Sequence, residues 1–217
     1  MKIRLDYTRV AESLFNVAIR CPHCGHYGTF KTASINDIVK YDHTNGAPIN
    51  YLGIRRCPNE SCLGHIFFIS KGKASLEFIS PSETIPIDKE NIPENILSAF
   101  EEAVICHANN CFIASAIMIR KTLEEICEER KAEGKNLFAR LKDLSSKILI
   151  PKELVEAMDE LRLLGNDAAH IEAQTFNEVG GNEIEISIEF TKEILKAVYQ
   201  YESLLSKLRS LKSIPTT

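Results

Sequence analysis

Two sets of side chains in this 217-residue chain have the types and spacing for chemistry. The first is Arg162, Asn166 and His170, set four residues apart in Leu161-Arg-Leu-Leu-Gly-Asn-Asp-Ala-Ala-His170. On an α-helix each step of four turns a side chain by only about 40°, so the three project from one face. An imidazole beside a guanidinium and an amide can move protons next to a phosphate. The second set is Cys21-Pro-His-Cys24 together with Cys57-Pro-Asn-Glu-Ser-Cys62. Two Cys-Pro knuckles at this spacing suit a tetrahedral site of four thiolates.

Such a set favours Zn²⁺, with iron as the alternative because four thiolates hold it at similar spacing. A closed sulfur shell leaves no position for a reactive water, so the expected role is structural. A sheet of about sixty residues with few large apolar side chains is marginal alone, and bound zinc contributes on the order of 10 kcal/mol to folding. His23, His26 and His65 lie near the knuckles, and His65 is the alternative to Cys62 as a ligand. Cys106, Cys111 and Cys127 fall in helical segments and read as buried small hydrophobes. An odd number of cysteines, four of them paired at knuckle spacing, argues against a secreted disulfide framework.

The elements that must position these groups differ in the two halves. From Thr29 to Ser80, short β-favouring runs alternate with Gly, Asn and Pro signals: Tyr51–Arg55, His65–Ser70 and Ala74–Ile79. Ser80-Pro-Ser-Glu-Thr-Ile-Pro86 then ends regular structure. Residues 1–80 are therefore expected to form the cysteine-bearing ribbon, 81–88 a linker and 89–213 a helical bundle. In the bundle, Asn91-Ile-Pro-Glu94 predicts an N-cap and capping box for a helix reaching His107. Further helices are expected over Asn110–Lys131, Leu137–Lys147, from Pro151 through the first motif, and Ser187–Lys212, with Glu172–Asn182 an exposed loop. His107 reads as structural. The fold class is α+β: a small antiparallel β ribbon followed by an all-α bundle.

No run approaches the roughly 20 apolar residues of a membrane span, and charges interrupt the N-terminus before any signal-like block, so a cytoplasmic protein is expected. Residues 1–80 carry a formal charge of +4 and residues 81–217 a charge of −8. The cysteine-bearing part is thus the basic part, which permits a phosphate-facing module and equally a solvated surface.

Arg120 falls on the apolar stripe of the second helix with Ala116, Leu123 and Cys127. A lone cation there needs a partner: Glu124, polar groups of the fourth helix, a bound phosphate, or the solvent at the rim. With Ile119-Arg-Lys-Thr-Leu-Glu124 on the second helix and Leu164-Gly-Asn-Asp-Ala-Ala-His170 ending the fourth, the chain resembles a prokaryotic domain-of-unknown-function family of the HEPN superfamily, the higher eukaryotes and prokaryotes nucleotide-binding domains. The resemblance covers most of the chain, because members often carry an N-terminal zinc ribbon. It implies an association with restriction enzymes and antiphage defence, a homodimer built on the helical half, and nucleic acid, RNA above all, as the partner.

Active members of the superfamily are metal-independent endoribonucleases that pair an arginine with a histidine. Carried over, His170 matches the histidine and Asn166 the polar position. Gly165 stands where the arginine most often sits, so Arg120 or Arg162 would have to supply the guanidinium. His170 would then act as general base or acid for attack of a ribose 2′-hydroxyl on the adjacent phosphate, a role contributing ~10²–10⁴-fold in rate. An arginine and Asn166 would stabilise the developing oxyanion. The alternatives are that Gly165-Asn166 ends or bends the helix while His170 caps or packs, and that the protein is a non-catalytic adaptor in a larger defence or toxin complex.

Overall fold

Short alternating segments, turned back on themselves at Gly46 and Gly72 with φ of +70° and +59°, make the first half of the chain a sheet. The structure is a computed structural model that describes residues 6–12, 16–33, 36–72, 75–148, 150–169 and 179–211. Its seven strands are β1 (Thr8–Glu12), β2 (Val17–Arg20), β3 (Tyr27–Thr32), β4 (Asn36–Tyr41), β5 (Pro48–Arg56), β6 (His65–Lys71) and β7 (Ser75–Ser80). The sheet therefore begins well before Thr29. β1 and β2 escape a sequence reading because they are only five and four residues long.

β5 is the spine. Along one edge it pairs first with β4, matching Leu52 to Ile38, and then with β3, matching Arg56 to Lys31. Along the other it pairs with β6 from Asn50–Lys71 to Arg56–His65. β1 extends the sheet beyond β4, β2 beyond β3 and β7 beyond β6, all antiparallel. One face is closed over Val17, Ile19, Phe30, Ile66 and Phe68, a core that also takes in Cys21 and Cys57.

That face also buries a charge pair that no local pattern in the sequence announces. The Arg55 guanidinium donates to both carboxylate oxygens of Asp37, at 2.9 Å and 2.7 Å, with both side chains fully buried. It lies 4.4 Å from the centre of the Phe68 ring. Gly53 makes room for it: a Cβ there would stand 2.0 Å from Asp37 Oδ1.

The chain divides into two compact units, Met1–Thr84 and Ile85–Thr217. The second holds α1 (Glu94–Ala108), α2 (Phe112–Glu129), α3 (Leu137–Lys147), α4 (Lys152–Ala169), α5 (Gly181–Leu195), a π-helical turn (Lys196–Gln200) and α6 (Tyr201–Ser210). The architecture is thus α+β, sheet first and helices after. α1 and α2 form a hairpin turned at Asn110, and Ser115 ties them by donating 2.7 Å to the Ala103 carbonyl. α2 lies at the centre, against α1, α3, α4 and α5, with Ile119, Leu123 and Ile126 wholly enclosed.

Two expectations need correction. Asn91 does not cap α1: it has a φ of +62°, the residue before the helix is Pro93, and no side chain bonds to the first turn. A left-handed turn at Asn91 uses the same residue type for a different purpose. The last helix starts at Gly181, six residues ahead of Ser187, so Gly181 and Asn182 are its first turn and no part of a loop. The Phe112 ring lies 3.2 Å from where a Gly181 Cβ would be, so the glycine serves a close approach. His170 and residues 171–178 of the expected loop lie outside the described residues.

Breaking one partner of a buried charge pair strands the other without solvent. Arg55→Met should therefore destabilise the sheet unit by about 3–5 kcal/mol, read as a shift of its urea unfolding transition while the helical transition stays in place.

Candidate functional site

The first knuckle is the turn between β2 and β3, closed by hydrogen bonds from Cys21 N to His26 O at 2.8 Å and from Gly25 N to Cys21 O at 2.9 Å. The second joins β5 to β6. There Cys57 N donates to Gly64 O at 2.8 Å, and Cys62 N and Leu63 N both reach Asn59 O at 3.0 Å. Because β3 pairs with the end of β5, the two turns meet. They press closely together: a Cβ on Gly64 would lie 2.4 Å from the His23 ring, and one on Gly28 would lie 2.9 Å from Pro58.

The four sulfurs of Cys21, Cys24, Cys57 and Cys62 lie within 4.8 Å of one another. Cys21 and Cys62 are 3.9 Å apart, Cys24 and Cys57 3.8 Å. A tetrahedral ion with metal–sulfur bonds of about 2.3 Å separates its ligands by about 3.8 Å, so the cluster has the size to hold a metal ion. Gly64 N donates to Cys62 Sγ at 3.4 Å and Asn59 Nδ2 to Cys24 Sγ at 3.7 Å, the outer-shell support that thiolates require. The His26 backbone N–H holds the Cys24 thiol down at about 7, whereas burial pushes Cys57 up to about 12.

His65 stands next to the cluster without joining it. Its carbonyl accepts a 2.9 Å hydrogen bond from His23 Nε2, which makes His23 a strut between the knuckles. Sequence spacing could not distinguish a ligand histidine from a strut. Cys106 is half-buried, Cys111 exposed and Cys127 buried in α2, all in the other unit. The exposed Cys111 departs from the expectation of a buried thiol: it sits ahead of α2, where the hairpin turn faces solvent.

The helical motif is positioned by α2 and α4. Arg120 is half-buried at their seam, with Nε 3.2 Å from Glu124 Oε1 and Nη1 donating 3.2 Å to the Arg162 carbonyl. Gly165 is what brings the helices this close: a Cβ there would lie 2.5 Å from Arg120 Cβ and 3.0 Å from the Ala116 carbonyl. Of the partners open to Arg120, the structure thus uses the intrahelical glutamate and the backbone of α4. The Arg162 side chain leads elsewhere. Its Nε donates 2.7 Å to Asp159, and its guanidinium lies 5.5 Å from the centre of the Phe138 ring on α3. Asn166, next to Gly165, is half-buried. α4 runs on past Gly165 and Asn166 to Ala169, so this pair does not end the helix.

Among the described residues, no helix is long and apolar enough to cross a membrane. Acidification should release a metal ion bound at the cysteines, because protons compete for sulfur, and metal analysis against pH reads this directly. One ion per chain is expected, absent from Cys57→Ser and retained in Cys111→Ser. Gly165→Val should cost the helical unit about 1–3 kcal/mol through overpacking against Arg120, measured by thermal unfolding.

Residues 101–212 match a domain of unknown function, DUF4145. No curated protein and no solved structure matches the chain.

Proposed function

Since its helical half makes the chain a member of the DUF4145 family, we propose that it is a zinc-ribbon, HEPN-like protein that binds RNA in prokaryotic antiphage defence. On this reading the cysteine cluster holds a structural Zn²⁺, and the helical unit cuts RNA without a metal, with His170 as acid–base group. The observation that carries the reading is Arg120. A guanidinium lies at the α2–α4 seam, bonded to the Arg162 carbonyl, with its aliphatic stem packed on Gly165, one position from Asn166. It supplies from α2 the cation that Gly165 displaces from the motif on α4. Arg162, turned toward Asp159 and Phe138, is the weaker candidate. The defence role rests on the sequence resemblance alone.

A non-catalytic adaptor is the second reading, and one observation favours it. Leu204, Leu205, Leu208 and Leu211 stand exposed along α6 and its end, an apolar stripe at helical spacing. Such a stripe suits a partner helix, and a second copy of the chain is the partner that a homodimer through the helical half would place there.

Purified full-length protein should cleave single-stranded RNA and spare DNA of the same sequence, which lacks the attacking 2′-hydroxyl. His170→Ala should abolish cleavage with circular dichroism and metal content unchanged, a drop of ~10²–10⁴-fold. RNA that is bound but never cut by the parent protein would move the assignment to the adaptor.

A further inference from the structure

One face of the sheet is closed by the core, and the other stays open along a continuous apolar row. The register places Val10 opposite Ile38, Ile38 opposite Leu52, Leu52 opposite Ile69, and Ile69 opposite Phe78. The row crosses five strands, β1-β4-β5-β6-β7, and alternation along each strand puts all five side chains on one side of the sheet. Two residues further along β5, Ile54 faces Phe67. Leu52 and Ile69 are buried, but Phe67 is 39% exposed and Phe78 40% exposed, and their rings meet edge to face at 6.4 Å. Phe67 on β6 and Phe78 on the edge strand β7 thus form an exposed aromatic pair, the kind of apolar patch that marks an interaction surface.

Cations flank this platform on both sides. Lys31, Arg56 and His65 form the cross-strand row beyond Ile54, and Lys40 and Lys71 lie on either side of Asn50 beyond Leu52. From Asn50 to Arg56 the strand spans on the order of 20 Å. The acids on the same face are Glu12 and Glu77, the latter accepting from Asn50 at 3.4 Å. Among the described residues, Lys31, Lys40, Arg56 and Lys71 have no carboxylate partner, whereas the helical unit pairs its own cations freely, as at Lys121–Glu125, Arg140–Glu128 and Lys192–Glu189. Unpaired cations around exposed rings fit a polyanion that also offers flat apolar surfaces.

We propose that this open face binds single-stranded nucleic acid, with bases stacked on Phe67 and Phe78 and phosphates held by Arg56, Lys31, Lys71 and Lys40. Stacking is available to every base, so the surface reads strandedness and little sequence. A duplex, whose bases are already stacked, can use the cations and not the rings. The inference deepens the nucleic-acid reading by giving it a surface remote in sequence from the α2–α4 motif, and it stands or falls independently of cleavage.

The test is fluorescence anisotropy of the full-length protein with a fluorescein-labelled oligouridine of about twelve nucleotides at several salt concentrations. Phe67→Leu and Phe78→Leu keep apolar bulk and remove the ring; each should weaken binding roughly tenfold. Arg56→Gln with Lys71→Gln should also lower the salt slope by about 0.7 for each phosphate that is no longer neutralised. Circular dichroism and metal content identify any variant that fails to fold, and the charge variants, being at exposed positions, keep the question open to measurement if a leucine variant does fail. Parent binding that no variant alters would overturn this surface and leave the nucleic-acid reading intact. No binding of the single strand by the parent would overturn both. Equal binding of a duplex, or leucine variants that change self-association in light scattering and not anisotropy, would overturn the stacking platform.

Discussion

Four sulfur atoms set the geometry on which the sheet unit depends. Cys21 and Cys24 come from the turn before β3, Cys57 and Cys62 from the turn after β5, and only pairing of those strands brings the turns together. Two of the sulfur separations are 3.8–3.9 Å and all lie within 4.8 Å, too long for disulfides, whose bonds are about 2.05 Å. Backbone N–H groups and Asn59 aim at sulfur, while His23 and the glycines at 28 and 64 allow the turns to press together. A metal ion at this point would link residues 41 positions apart and lower the entropy cost of closing the sheet between them.

The buried pair Arg55–Asp37 acts under the same constraint from the other direction. It sits in the core face beside Phe68, and its cost of desolvation is met by two short hydrogen bonds and the ring. Gly53 exists to leave that space. The opposite face carries the exposed rings of Phe67 and Phe78 and, among the described residues, cations without carboxylate partners.

In the helical unit the governing approach is that of Gly165 to α2. It lets α4 lie on Arg120, whose guanidinium bridges the helices through the Arg162 carbonyl. Gly165 is therefore the residue that makes room for an arginine from the neighbouring helix. The π-helical turn at Lys196–Gln200 is held in a comparable way, with Arg130 donating to the Val198 carbonyl and Gln200 to the carbonyls of Asp88 and Glu90.

Period and punctuation sufficed for much of this. The spacing of Cys21, Cys24, Cys57 and Cys62 is local information, and the helical stripes carry their own 3.6 repeat, so α3 is found at Leu137–Lys147 as read and α2 within two residues of its expected ends. Segments whose structure is set by long-range pairing were not legible: the short strands β1 and β2, the glycine start of α5 and the turn at Asn91. The direction of Arg120 and Arg162, the burial of Arg55 and the cross-strand row from Val10 to Phe78 were decided by tertiary structure alone. Each depends on which residues of distant segments stand opposite one another, and a linear chain does not record register.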